Sequence, residues 1–187
     1  MSLSPSGLRG VDHIGFTVPD IDQAATFWCD ILGAIELFRH GPHPQSESAE
    51  RQFGRPADSH VIKIAMLRLG PTNIELLEIS SPSARRTPLR PDDVGAHHVA
   101  LYVDDLDIAV TAALALDVDV LGEPMPLPGP ESGPDARFVF LRSPWGQVFE
   151  LVSYPGGKKW QRGGGAELHD PRNLPRLEPR TRAAESR

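Results

Sequence analysis

The chain has 187 residues, enough for one domain or two small modules sharing a core. Hydrophobic content of 40%, charged content of 24% and a formal net charge of −6 fit an ordinary globular protein and weigh against nucleic acid as a partner. No apolar run approaches the ~20 residues that cross a bilayer, MSLSPSGLRG lacks the apolar core of a signal peptide, and the one cysteine, Cys29, offers no internal disulfide, so no membrane and a cytoplasmic location are expected.

Val11 to Val18 alternates apolar and polar residues and predicts a strand. Pro19-Asp20 ends it, with Asp20 suited to cap a helix. Ile21, Ala24, Ala25, Phe27, Trp28, Ile31 and Leu32 have helical spacing, and Gly33 suits the stop. Ala34 to Arg39 reads as a second strand. Residues 40–60 are rich in Pro, Gly and Ser without periodicity and read as a loop, with His40 and His43 expected to be solvated. Val61 to Leu69 and Asn73 to Ile79 are strands around a Gly70-Pro71 turn, and Ser80 to Val94 is a polar link.

The second half repeats the plan. Ala96 to Val103 predicts a strand, and Leu106 to Leu116 a helix capped by Asp104 or Asp105. Val118 to Leu121 reads as a short strand and Met125 to Asp135 as a loop. Arg137 to Arg142 and Gln147 to Tyr154 are strands about a tight turn at Ser143-Pro144-Trp145-Gly146. Residues 155–187 carry a net charge of +4, which leaves −10 on the rest, and read as a solvated basic tail. Trp145 and Tyr154 are expected at a pocket rim, with loops 40–60 and 125–135 as lids.

The two halves match in sequence. GVDHIGFTVPDID (10–22) and GAHHVALYVDDLD (95–107) align at an offset of 85, which superposes His13 on His98 and Asp20 on Asp105. NIELLEIS and VFELVSYP align Glu75 with Glu150. Each module therefore opens with His and closes with Glu, and the first is longer by ten residues. The expected domains are a first βαβββ module at 10–80, a linker at 81–94, a second module at 95–155 and an irregular tail at 156–187. The expected class is α+β, a curved, mostly antiparallel sheet cup with helices outside.

His and Glu interrupt otherwise apolar strands at matching places. A carboxylate among Ile, Leu and Val is costly unless something positive faces it. If first and last strands are neighbours, His13 stands beside Glu75 and His98 beside Glu150. Two imidazoles and two carboxylates suit a divalent ion, so all four are the expected ligands. His97 should face away from His98, and Glu78, three residues past Glu75, should face the opposite side.

DHIGFTV, NIELLEI, HHVALYVDDLD and SPWGQVFELVSYP, with the repeat, resemble the vicinal oxygen chelate superfamily over residues 10–155. That superfamily includes glyoxalase I, methylmalonyl-CoA epimerase, extradiol dioxygenases and bleomycin-resistance proteins. The resemblance implies a divalent ion (Zn, Ni, Co, Mn or Fe) on His13, Glu75, His98 and Glu150, and a small-molecule substrate bound through its oxygens. It implies Glu150 or Glu75 as the catalytic proton carrier, and a homodimer. The epimerase end of the family is nearest in sequence, and Thr17, standing where glyoxalase I usually has Arg, speaks against glutathione. An isomerase, epimerase or lyase is the first expectation, an Fe(II) dioxygenase the second, and a non-catalytic binding or resistance protein the third.

Overall fold

Alternation at the start of each half becomes a strand with one dry face. The computed structural model describes residues 10–43, 49–163 and 170–177. It divides into two units, one of Met1–Ala84 with Leu177–Arg187 and the other of Arg85–Arg176.

In the first unit the elements run β1 (His13–Val18), α1 (Ile21–Thr26), β2 (Ile35–His40), α2 (Ala49–Phe53), β3 (His60–Leu69) and β4 (Thr72–Ser80). The sheet order is β1-β4-β3-β2, with β1 parallel to β4 and the other pairs antiparallel. In the second unit β5 (Val99–Tyr102), α3 (Leu106–Ala115), β6 (Asp119–Pro126), β7 (Arg137–Arg142) and β8 (Val148–Ser153) repeat this as β5-β8-β7-β6. The α+β class and the doubled βαβββ plan are as expected.

Period-2 geometry sorts the residues of each sheet. Phe16, Val18, Ile74, Leu76, Ala65 and Leu67 lie buried on one face of the first sheet, as do Phe149, Leu151, Val139 and Leu141 on one face of the second. Fully burying each of the large ones contributes about 1.5–3 kcal/mol. Ile21, Ala24 and Ala25 of α1 are buried too, and the Phe16 and Trp28 rings stand 5.4 Å apart.

Both principal helices start as the sequence foretold. The Asp20 carboxylate accepts from Gln23 N at 2.8 Å, and Asp105 accepts from the backbone N–H groups of Asp107 and Ile108, each at 3.0 Å. Asp105, not Asp104, is therefore the cap. Phe27–Ile31 widens into a single π turn that leaves Phe27, Trp28 and Cys29 buried in succession, before Gly33 (φ 78°) ends the segment.

Several boundaries differ. β5 starts at Val99, so His98 immediately precedes its strand, whereas His13 is the first residue of β1. β6 continues to Pro126 through a stretch expected to be loop, and residues 40–60 include the short helix α2. Residues 44–48 of that loop, and 164–169 and 178–187 of the basic tail, lie outside the described residues. Among the described residues, no helix is long and apolar enough to cross a membrane.

Candidate metal and proton-transfer site

Parallel pairing of β1 with β4 puts Gly15 opposite Glu75, so His13 lies diagonally across from that carboxylate. His13 Nε2 is 3.6 Å from Glu75 Oε2. The second unit repeats the arrangement. Ala100 is paired with Glu150, and His98 Nε2 is 3.1 Å from Glu150 Oε2. Each expected His thus meets its expected Glu, on the sheet face opposite the buried core residues. Residue 15 is a glycine, and a Cβ there would sit 3.5 Å from Glu75 Oε2, in ordinary contact.

The surroundings of the two pairs differ. Asp12 Oδ2 is 2.8 Å from His13 Nδ1, and that hydrogen bond, followed by the attraction of Glu75, raises the His13 pKa against the opposing effect of burial. Asp12 precedes β1, so it lies outside the pleat and can turn onto the ring. A carboxylate on Nδ1 fixes the ring and leaves Nε2 for other work, the usual support of a metal-bound imidazole. In the second unit the side chain of Glu150 is only 14% exposed. Burial raises its pKa, with His98 and Lys158 pulling the other way and Glu131 adding to the rise. The His98 ring stands edge-on to Phe140, centroids 5.4 Å apart.

Imidazole nitrogen and carboxylate oxygen are donor types suited to Zn, Mn, Fe, Co or Ni. Either pair alone supplies two donors. Among the described residues, no group of three or more His, Cys, Asp or Glu side chains gathers as a metal cluster.

The neighbours that competed for these roles have other partners. Glu78 Oε2 accepts from Ile21 N at 3.1 Å, at the start of α1, on the face opposite Glu75. Ser153, its counterpart in the repeat, donates to Asp104 O at 3.2 Å beside α3. His97 Nε2 lies 3.5 Å from Gln147 Nε2. The His40 and His43 rings meet at 4.5 Å, and His43 Nε2 is buried without a hydrogen-bond partner, so this residue is not simply solvated as expected.

Tyr154 also departs from expectation. It is not a rim residue but 7% exposed, clustered with Leu127, Ala136 and Val152, against which Tyr102 and Phe138 pack. Burial raises the phenol pKa of both tyrosines. The described part of the basic tail covers this cluster. Gly157 N donates to Tyr154 O, Lys159 N to Ser132 O, and Arg172 Nη1 to Pro155 O. Composition gave no hint of these contacts, because Lys158 and Arg172 acquire partners only through the fold. Trp145 is half-buried, its Nε1 3.3 Å from Gln147 Oε1.

The family model for the glyoxalase/bleomycin resistance protein/dioxygenase superfamily matches residues 12–140. A 2-epi-5-epi-valiolone epimerase from an Actinomyces species is 36% identical over 168 residues, spanning 88% of this chain and 90% of that protein. The mitochondrial methylmalonyl-CoA epimerase of Homo sapiens is 30% identical over 108 residues, about half of each chain (55% and 51%). Among solved structures, a variant of the fosfomycin resistance protein FosX from Listeria monocytogenes, crystallised with Mn(II) and 1S,2S-dihydroxypropylphosphonic acid, shares the fold. Its TM-score is 0.54 at 18% identity, covering 84% of this chain and 99% of that one.

Proposed function

The chain belongs to the glyoxalase/bleomycin resistance protein/dioxygenase superfamily, and from that premise we propose that it is a divalent-metal-dependent epimerase. It moves a proton on a carbon next to a carbonyl of a small-molecule substrate. The observation that carries this reading is the repeated His–Glu pair, at 3.6 Å in the first unit and 3.1 Å in the second. The 36% identity to an epimerase over nearly all of both chains supports it.

In this reading His13, Glu75, His98 and Glu150 hold the ion, whose positive charge favours a substrate oxygen turning anionic. Asp12 holds the His13 ring in place through Nδ1. Glu150, mostly buried beside Phe140, takes the proton from one face of the carbon, because a carboxylate shielded from water is the better base. Glu75 is the second carboxylate assigned to carry a proton. A homodimer in the cytoplasm belongs to the same reading.

Incubating the metal-loaded chain with 2-epi-5-epi-valiolone, and separately with methylmalonyl-CoA, in D2O tests it. Deuterium entering at the carbon beside the carbonyl, with the epimer appearing, is the expected result for one of them, and Glu150→Gln abolishes both signals. Tight binding without exchange would replace the epimerase with a binding protein, and consumption of O2 would replace it with an oxygenase.

A further inference from the structure

α3 is apolar on the side where a surface helix is usually polar. Leu106 and Ala113 are its buried residues. On the opposite side the spacing i, i+3, i+4, i+7 lines up Ile108, Thr111, Ala112 and Ala115, all exposed. Ile108 is 68% exposed, and Leu114 and Leu116, at 60% and 53%, flank the stripe. The polar groups of the helix are already engaged. Asp107, its one charged residue, accepts from Arg137 Nη1 and Nη2 at 3.1 and 2.8 Å, and Thr111 Oγ1 donates to Asp107 O at 2.8 Å.

The internal repeat shows that the fold does not require this. An offset of 85 puts Gln23, Thr26 and Asp30 at the places of Ile108, Thr111 and Ala115. The exposed residues from Ile21 to Asp30 are Asp22, Gln23, Thr26 and Asp30, every one of them polar. One copy of the helix is built to meet water and the other is not. A helix with apolar residues on both sides has the pattern of one that is covered on both.

The remaining segments of this chain do not supply the cover. Residues 44–48, 164–169 and 178–187 hold one apolar residue larger than alanine or proline, Leu168, and Met1, Leu3 and Leu8 are broken up by Pro5 and Gly7. The stripe itself does match its own image. With an antiparallel two-fold axis between Thr111 and Ala112, Ile108 of each copy lies against Ala115 of the other, bulk against a gap. Ala112 beside the axis lets the two backbones approach closely.

We propose that the outer face of α3 is a homodimer interface, packed antiparallel on the same face of a second copy of this chain. The proposal goes beyond the proposed function in naming the surface and rests on it only for the homodimer. The metal and the proton transfer do not enter. Two helices of 10 residues, each about 15 Å long, bury less than the roughly 800 Å² per partner of a standard interface, so the pairing is reversible in the micromolar range.

Sedimentation velocity of the full chain across that range tests it. The wild type dimerises, and Ile108→Lys raises the dimer dissociation constant about a hundredfold, because the two-fold axis counts each lost anchor twice. Its melting temperature at monomer concentrations stays that of the wild type, since the position is exposed. Gln23→Lys, the matching place on α1, leaves the dissociation constant unchanged. As a second reading, Ala112→Cys is cross-linked through a disulfide by oxidised glutathione, whereas Gln23→Cys is not, and the native Cys29 is buried. A wild type that stays monomeric throughout overturns the proposal and the homodimer with it. A dimer that survives Ile108→Lys, or that Ala112→Cys fails to cross-link, removes the α3 interface and leaves the homodimer standing.

Discussion

Glu75 and Glu78 are three residues apart on one strand and face opposite sides of the sheet. Glu78 Oε2 accepts from Ile21 N at 3.1 Å, where the first backbone N–H groups of α1 lack intrahelical partners. A hydrogen bond to a charged acceptor is worth about 1.5–3 kcal/mol, and its removal leaves a part-buried donor unsatisfied. Glu78→Ala is therefore expected to cost about 2 kcal/mol. For a chain of this length that lowers the melting temperature by about 4–8 °C. Glu78→Gln keeps a neutral acceptor and should lose about half as much. Metal content should be unchanged in both. Glu75→Gln should show the reverse, with the metal lost and the melting temperature of the metal-free chain within about 1 °C of wild type. Thermal unfolding followed by circular dichroism, beside elemental analysis of the same samples, reads both quantities. A Glu78→Ala variant that loses metal without losing stability would refute the division of roles.

Asp12→Asn keeps the shape but removes the charge on His13 Nδ1, and should weaken metal binding by about 10–100-fold in a chelator competition, with stability nearly unchanged. Phe149→Ala empties a position that is 0% exposed, and should cost about 3–5 kcal/mol in denaturant unfolding of the second unit. Asp107 is held below the ordinary carboxylate range by the hydrogen bond and charge of Arg137. A lowered folded-state pKa adds stability above the unfolded value, which is lost as the pH falls through the folded one. Asp107→Asn should therefore be less stable than wild type at neutral pH and match it in acid, as paired melting curves across pH would show.

The parts of the fold that recur in sequence were the parts legible in it. The two His-strand-Asp segments led to β1, β5 and both helix caps, since short-range hydrogen bonds to Asp20 and Asp105 need only local chain. Pairing His with Glu also followed from sequence, because placing first and last strands side by side is enough to bring them together. β6 was under-read because Gly122, Pro124 and Pro126 look like loop residues, and an edge strand tolerates proline where a central one does not. The π turn at Phe27–Ile31 has the same apolar spacing as a helix and leaves no mark in periodicity. The tail was misread for a deeper reason. Lys158, Arg172 and Tyr154 meet through contacts 4 to 27 residues apart in the chain, and composition reports only that the segment is basic and rich in glycine.

The metal decides the account. Elemental analysis of the untagged chain, purified without added ions beside Glu75→Gln and His98→Ala, addresses it most directly. One equivalent of zinc, nickel, cobalt or manganese in the wild type, lost in both variants, is the predicted result. A wild type that holds no metal and takes none up, or variants that keep it in full, would contradict the account.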